Sequence, residues 1–158
     1  MTPVYTFVAW SGTGKTTYLE RLVEELAGRG VRVGAIKHDA HEFEIDKPGK
    51  DSWRFARAGA QVVAVASKTK CAVMEYRPVD FDRILERMRD VDVILCEGWH
   101  AEGGALVAVY RAGSGKGFKL PPSECAAVIA DAPVDAGDAP VFPLDDAAPF
   151  ADFIMEHL

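Results

Sequence analysis

The sequence is poor in cysteine and has no long apolar run, and each absence excludes a class of protein. Three cysteines occur among 158 residues, at positions 71, 96 and 125. A small, odd number of widely spaced cysteines predicts reduced thiols in the core and argues against the disulfide framework of a secreted domain. No apolar stretch reaches the roughly 18–20 residues of a membrane-spanning helix, and no basic-then-apolar leader opens the sequence. We therefore expect a cytoplasmic protein with no membrane partner.

Basic side chains are also in the minority. Lys and Arg number 18 against 24 Asp and Glu, and the net charge is −6 at pH 7. Nonspecific nucleic-acid binding depends on many contacts between basic side chains and phosphates, so this acidic chain predicts no nucleic-acid partner. The length predicts one compact domain over residues 1–158, without room for a second.

The first 36 residues combine two different hydrophobic periods. Residues 3–9 are a continuous apolar run of strand length, whereas residues 16–29 repeat apolar side chains at helical spacing. Gly28 and Gly30 follow as helix-ending residues, and residues 31–36 form the next apolar run. A strand, a helix and a strand in so short a segment predict a βαβ unit with parallel strands. We expect the second strand to lie beside the first.

Similar patterns continue to the end of the chain. We predict a third buried strand at 61–66, a hairpin-related strand at 71–76, and strands at 91–96, 106–110 and 126–130. Predicted helices cover 51–58, a segment that follows Asp80 as its N-cap and extends to Met88, and 149–157. Strands that alternate with helices predict a three-layer α/β domain with a mostly parallel sheet.

The turn after the first strand carries a phosphate-binding pattern. Residues Ala9–Thr16 read Ala-Trp-Ser-Gly-Thr-Gly-Lys-Thr, a Walker A sequence with alanine in place of the usual first glycine. In such a P-loop, backbone N–H groups and the following helix N-terminus surround phosphates. Lys15 is expected to reach the β- and γ-phosphates, and the Thr16 hydroxyl to bind Mg²⁺. Its position between a buried strand and an amphipathic helix favours a P-loop NTPase fold over a chance glycine turn.

A second stretch, Gly113-Ser114-Gly115-Lys116, imitates this motif. It is followed by Gly117 and soon by two prolines, so neither a Ser/Thr ligand nor a helix comes after it. We predict a mobile loop there.

Two carboxylates are candidates for the metal side of the site. Glu97 follows a buried strand and precedes Gly98, the place where P-loop enzymes hold magnesium or its waters; the alternative is an acidic residue that only marks a strand end. Asp39 follows the second strand and is predicted to contact the metal or position water, although an Asx turn would also explain it.

Two further functions stay open from the residues alone. His38, His41, Cys96 and His100 suggest a metal-insertion GTPase, but they lack a Cys-x-x-Cys or Cys-x-His spacing. A small-molecule kinase would use Asp39 as the base and need an arginine-bearing lid, for which residues 77–89 or Arg111 would have to serve. No arginine finger or water-orienting glutamine is recognisable near the loop, which predicts slow hydrolysis.

With these segments in place, the chain resembles the molybdopterin-guanine dinucleotide biosynthesis adapter family, MobB. The resemblance runs in the family's order through residues 11–17, 34–38, 43–52, 57–60 and 92–98. The segment Asp46–Ser52 is the most discriminating part; from the residues alone, its lysines suit either an anionic partner or a solvated turn with a helix cap. The resemblance implies a GTP-binding protein with weak GTPase activity, commonly a homodimer. It also implies work beside the molybdopterin guanylyltransferase, with molybdopterin or a molybdoenzyme chaperone as a further candidate partner.

Carried over position by position, the resemblance implies a set of site residues. The nucleotide-binding set is Ser11, Gly12, Thr13, Gly14, Lys15, Thr16 and Thr17. Thr16 and Glu97 are expected at the Mg²⁺, and the catalytic set is Lys15, Asp39 and Glu97. An Asn-Lys-x-Asp guanine-reading motif is missing, because residues 67–70 end in Lys and not in Asp. Guanine recognition therefore follows from the family, with Asp131 after the 126–130 strand as the candidate residue.

Overall fold

The structure is a computed structural model that describes residues 2–38, 42–98 and 104–158. It divides into two compact units, one made of residues 1–38 and 88–158 and the other of residues 39–87. The strands are β1 (Val4–Val8), β2 (Val33–Lys37), β3 (Val62–Ala66), β4 (Cys71–Glu75), β5 (Val93–Glu97), β6 (Ala105–Tyr110), β7 (Ala127–Ala130) and β8 (Val141–Pro143). The helices are α1 (Lys15–Gly28), α2 (Asp51–Arg57), α3 (Phe81–Glu86) and α4 (Ala148–Met155). That residues 1–158 act as one domain stays a prediction.

The larger unit contains a six-stranded sheet in the order β2-β5-β1-β6-β7-β8, and every neighbouring pair is parallel. The predicted α/β class with a mostly parallel sheet is therefore confirmed. The predicted neighbour of β1 is wrong, because β5 lies between β1 and β2. Val93–Cys96 of β5 are buried, as an interior strand requires, whereas β2 exposes Ala35 and Lys37 and forms the edge.

The smaller unit contains an antiparallel hairpin of β3 and β4, in which Val62 pairs with Glu75 and Ala66 with Cys71. The hairpin relation of β4 is confirmed, but the prediction of β3 as a buried strand is wrong. Only Val63 of that strand is buried, because a two-stranded sheet has no second layer to cover both faces. Cys71 is likewise exposed, so of the three thiols predicted in the core only Cys96 and Cys125 lie there.

The sheet of the larger unit has apolar clusters on both faces. Tyr18, Leu22 and Leu26, four residues apart on α1, are buried with Phe150 and Ile154 of α4 against alternate residues of the strands. Burial, with Asp146 nearby, raises the pKa of Tyr18, which keeps its phenol neutral. The other face buries a smaller cluster that consists of Ala108, Cys125, Val128, Ala130 and Ala136.

Several helix ends follow the sequence. Gly30 adopts a left-handed φ of 82° just after α1, as a helix-ending glycine does, whereas Gly28 is still helical. Asp80 occupies the N-cap position of α3 without a side-chain cap hydrogen bond, and the helix ends at Glu86, before Met88. No helix in the described parts of the chain is long and apolar enough to cross a membrane.

Phe150 provides a test of this core. Its side chain is fully buried, and its ring centroid lies 5.8 Å from Tyr5, 6.0 Å from Phe7 and 5.0 Å from Phe142. Phe150→Ala is expected to lower the free energy of unfolding by about 3–5 kcal/mol in urea denaturation, because it leaves a cavity among these rings. Phe55, which is 61% exposed, supplies the matched control. Phe55→Ala should change the free energy by less than about 0.5 kcal/mol, and equal losses would contradict the assignment of the core.

Candidate nucleotide-binding site

The loop between β1 and α1 is closed by its own residues. Thr13 is buried, and its hydroxyl donates a hydrogen bond to the Trp10 carbonyl at 2.8 Å. Gly12 and Gly14 have φ values of 82° and 87°, in the left-handed region that favours glycine. The Gly14 carbonyl then accepts from the Tyr18 N–H at 3.0 Å, which starts the helix. The sequence therefore makes a tight turn that leads directly into α1.

The N-terminus of α1 is open to an anion. Its first turn consists of Lys15, Thr16 and Thr17, without an acidic side chain. The first N–H groups of a helix have no partner within it, and the positive end of the helix dipole lies there. A Cβ on Gly12 would have no described atom within 4 Å apart from its chain neighbours, so the loop is open at this position. The geometry suits a phosphate group.

Glu97 lies beside this helix start. The Thr16 hydroxyl is 3.2 and 3.3 Å from the two carboxylate oxygens of Glu97, and Lys15 Nζ is 3.6 Å from one of them. This proximity follows from the parallel pairing of β1 with β5, in which Phe7 is opposite Glu97. The structure brings together the three residues predicted for the phosphate and metal side of the site, while their roles stay predictions.

Lys37 is a fourth member of this cluster that sequence reasoning missed. Lys37 Nζ lies 3.6 Å from the same oxygen of Glu97, because the last residues of β2 and β5 are in register. Glu97 thus has two lysines around one carboxylate, and the local excess of positive charge favours an anion. The side chain of Glu97 is only 16% exposed, whereas that of Lys37 is 62% exposed. A strand-end lysine was the available signal, but only the strand order reveals its partner.

A groove of about 430 Å³ adjoins the cluster between α1, β2 and β5. Its lining includes Thr16, Glu20, Ala35, Lys37 and Glu97. Hydroxyl and carboxylate oxygens are the hard ligands that Mg²⁺ prefers, so the donor set of Thr16 and Glu97 fits this ion. Lys15 and the loop would then remain for phosphate oxygens.

The position of Glu97 is fixed by the residue that follows it. Gly98 has a φ of 95°, and a Cβ there would lie 2.8 Å from the carbonyl oxygen of His38. The His38 N–H in turn donates to the Glu97 carbonyl at 2.8 Å. The glycine therefore allows β5 to turn away sharply while β2 stays close.

The segment that imitates the P-loop motif contacts the real one. It forms a 3₁₀ turn, Ala112–Ser114, and Lys116 Nζ donates to the Ser11 carbonyl at 2.9 Å. Arg111, just before it, donates from Nε to the Thr13 carbonyl at 3.0 Å. Neither contact was predicted, because the sequence does not show that β6, which leads into this segment, pairs with β1.

Asp131 lies at the end of β7, where the sequence analysis expected it. Its Oδ1 accepts a hydrogen bond from the Ala112 N–H at 2.7 Å, and the residue is exposed. One carboxylate oxygen therefore has a structural partner in the segment that carries Arg111. A role in base recognition stays a prediction.

The evidence for a transition-metal site does not strengthen. Asp39, His41 and His100 lie outside the described residues. Cys96 is fully buried within β5. In the parts of the chain that the structure describes, no three His, Cys, Asp or Glu side chains group as metal ligands would.

The discriminating segment Asp46–Ser52 forms the turn that leads into α2 and the first two residues of that helix. Asp46 Oδ1 accepts from the Lys47 N–H at 2.8 Å and from the Ser52 hydroxyl at 3.1 Å. Lys47 and Lys50 are exposed. Of the two interpretations left open, these contacts favour a helix-leading turn, and they leave both ammonium groups accessible.

Comparisons with known proteins point to one family. The model of the family described as Molybdopterin guanine dinucleotide synthesis protein B matches residues 4–131. The molybdopterin-guanine dinucleotide biosynthesis adapter protein of Escherichia coli (strain K12) is 38% identical over 170 residues, which cover 100% of this chain and 94% of that protein. The matched ranges include every site residue predicted above.

Two solved structures place the fold. The crystal structure of Bacillus subtilis MobB has a TM-score of 0.77 and 26% identity, and the alignment covers 99% of this chain and 98% of that one. HypB from Helicobacter pylori, solved in complex with nickel, has a TM-score of 0.55 and 15% identity over 98% of this chain and 86% of that one. At that identity the likeness to HypB concerns the P-loop NTPase fold alone.

The close approach at Gly98 gives a test of the site's architecture. Gly98→Ala is expected to lose about 1–2 kcal/mol of unfolding free energy from its positive φ. The clash with the His38 carbonyl should add about 1–3 kcal/mol. Gly30→Ala is the matched control, because Gly30 has a φ of 82° and a Cβ there meets nothing. Urea denaturation that gives equal losses for the two variants would contradict the described packing of β2 on β5.

Proposed function

The chain belongs to the MobB family of adapter proteins in molybdopterin guanine dinucleotide biosynthesis, and from this premise we propose that it binds GTP with Mg²⁺ and hydrolyses it slowly. The observation that carries the proposal is the cluster of Lys15, Thr16 and Glu97 at the start of α1. A P-loop by itself suits any nucleoside triphosphate. The family supplies the pathway, and the pathway favours a guanine nucleotide.

Different groups of the chain bind different parts of the triphosphate and its metal ion. The N–H groups of the loop and the first turn of α1 bind phosphate oxygens, and Lys15 binds the β- and γ-phosphates. Lys15 now lies 3.6 Å from Glu97, and Lys37 lies at the same distance. Lys15 can therefore turn to phosphate while Lys37 still balances the carboxylate. Thr16 and Glu97 would hold Mg²⁺, which supplies positive charge against the phosphates.

Asp131 is the proposed contact for the guanine base. A carboxylate accepts hydrogen bonds from both the N1–H and the amino group of guanine, whereas adenine has no N1–H to offer. Oδ1 of Asp131 already accepts from the Ala112 N–H, which orients the group, while Oδ2 and the second lone pair of Oδ1 stay available to the two donors of the base. The chain contains no asparagine, so an Asn-Lys-x-Asp motif has no equivalent in it.

Slow hydrolysis is consistent with the groups around the loop. Gln61, the single glutamine of the chain, precedes β3 in the unit of residues 39–87. Arg111 and Lys116 are occupied with loop carbonyls, which leaves Lys15 to meet charge on the transferred phosphate. A protein of this kind acts as a nucleotide-dependent binding partner more than as a metabolic enzyme.

The proposed partners are a second copy of the chain, the molybdopterin guanylyltransferase and, further along the pathway, molybdopterin or a molybdoenzyme chaperone, all in the cytoplasm. Exposed apolar side chains of the smaller unit support a protein partner. Phe43, Ile45 and Phe55 are 69%, 74% and 61% exposed. Apolar surface of this extent commonly marks an interface.

Nucleotide titration tests the main proposal. We expect isothermal calorimetry to give Mg²⁺-dependent binding of GTP that is tighter than that of ATP. Lys15→Ala should weaken the binding of GTP by about tenfold to a hundredfold, because the charge-assisted contact of Lys15 with the phosphates is lost. Lys68→Ala, in the exposed β3–β4 turn, removes the same charge elsewhere and should bind as the wild type. Preference for ATP, or no preference, would contradict the assignment of GTP.

A second titration tests the base contact. Asp131→Asn is expected to weaken the binding of GTP about tenfold. It should strengthen the binding of xanthosine triphosphate, whose C2 carbonyl can accept a hydrogen bond from the new amide. The amide oxygen of the variant can still accept from the Ala112 N–H, so its thermal unfolding midpoint should equal that of the wild type. An equal loss for GTP, ATP and xanthosine triphosphate would assign Asp131 a structural role only.

A further inference from the structure

Two cations approach the phosphate loop from the side away from Glu97. The sheet order places β1 between β5, which ends in Glu97, and β6, which leads into Arg111 and Lys116. Arg111 donates to the Thr13 carbonyl and Lys116 to the Ser11 carbonyl, at 3.0 and 2.9 Å. The loop therefore has the metal-side carboxylate on one flank and two hydrogen-bonding cations on the other.

Arg111 also packs directly against the loop backbone. A Cβ on Gly14 would lie 2.6 Å from Nη2 of Arg111 and 3.3 Å from Cζ. The guanidinium thus covers the Cα of the residue immediately before Lys15. A Cβ at that position would make the guanidinium shift away, while the φ of 87° already favours glycine there.

The peptide unit that follows Arg111 is anchored through both of its polar groups. The Arg111 carbonyl accepts from the Ser114 hydroxyl at 2.7 Å, and the next N–H, that of Ala112, donates to Asp131 at 2.7 Å. Asp131 stands at the end of β7, so the anchor leads back to the sheet. A fixed backbone limits where the guanidinium can go, and the contact with Thr13 is accordingly ordered by its surroundings.

The contact between Arg111 and the Thr13 carbonyl also determines the direction of the neighbouring Gly14 N–H. The Thr13 carbonyl and the Gly14 N–H belong to one peptide unit, and no described peptide bond is cis. In a trans peptide the carbonyl and the N–H point in opposite directions. A guanidinium that holds the Thr13 oxygen on one side therefore holds the Gly14 N–H toward the other. Lys116 donates to the Ser11 carbonyl and in this way directs the Gly12 N–H of the same peptide unit to the opposite side.

We propose that Arg111 is a positioning residue for the nucleotide: it fixes the Thr13–Gly14 peptide so that the Gly14 N–H is already directed at a phosphate before the ligand arrives. The inference rests on the proposed nucleotide-binding function and deepens it. Arg111 touches the loop and not the phosphates. Its contribution is preorganisation, because a loop that is already arranged loses less conformational entropy on binding.

The chemistry favours arginine over lysine in this role. The guanidinium is planar, its Nε–H has a fixed direction, and a flat group can cover a glycine Cα. Lys116 is a flexible point charge on an exposed side chain, and we expect the weaker effect there. Since the Gly14 N–H belongs to the part of the loop that both nucleotides use, diphosphate and triphosphate should depend on Arg111 equally.

The test titrates GDP and GTP with Mg²⁺ into wild type, Arg111→Ala, Arg111→Lys and Lys68→Ala by calorimetry. Lys68→Ala is the charge control, because it removes one positive charge from the exposed β3–β4 turn. We expect Arg111→Ala to weaken both nucleotides by about tenfold and Arg111→Lys to recover only part of that loss. Millimolar methylguanidinium should restore affinity to Arg111→Ala, and methylammonium should not.

A second measurement needs no nucleotide. In ¹⁵N-labelled protein, Arg111→Ala should shift the Gly14 amide resonance and speed its hydrogen exchange, whereas Lys68→Ala should leave both unchanged. Wild-type affinity in Arg111→Ala, full recovery in Arg111→Lys, or an unmoved Gly14 amide would each overturn the inference. If wild type binds GTP and Lys15→Ala binds it more weakly, those results overturn the role of Arg111 alone. If wild type binds neither nucleotide, the proposed function fails together with the inference.

Discussion

Parallel pairing of β1 with its two neighbours is the constraint from which the candidate site follows. Parallel strands end at the same edge of a sheet, so the segments after β1, β5, β6 and β7 meet there. The phosphate loop follows β1 and Glu97 is the last residue of β5. Arg111 follows β6, and Asp131 follows β7. Each residue is distant from the others in sequence. Their proximity depends on strand order. A further strand between β1 and β5 in the sheet would separate Thr16 from the Glu97 carboxylate.

Sequence reasoning located the parts of this site that local chemistry determines. A glycine-rich turn between an apolar run and an amphipathic helix has one common structural meaning, and the spacing of Tyr18, Leu22 and Leu26 defines the buried face of α1. What it missed is determined by tertiary pairing. Lys37 and Arg111 carry no motif, and they reach the site only because β2 lies next to β5 and β6 next to β1. The same limit explains β3: five apolar residues form a central strand or an open hairpin, depending on what covers them.

Family and geometry contribute different things to the function. The Walker A loop and Glu97 suit a triphosphate with a divalent ion, a chemistry that many unrelated pathways use. Membership of the MobB family assigns the chain to molybdopterin guanine dinucleotide biosynthesis, in which a guanine nucleotide is a natural ligand. The smaller unit exposes Phe43 and Ile45, which carry the proposal of a protein partner. The proposed nucleotide chemistry and the proposed partner surface therefore rest on residues of different units.

The pairing of one carboxylate with two lysines has a consequence for the empty protein. Without Glu97, the ammonium groups of Lys15 and Lys37, each 3.6 Å from the same carboxylate oxygen, would lose their shared counter-ion. Glu97 acts as a resident counter-ion that cancels part of this charge for as long as no ligand is bound. A site that carries its own counter-ion does not depend on a ligand to balance its charge, which fits the proposed adapter role better than continuous turnover.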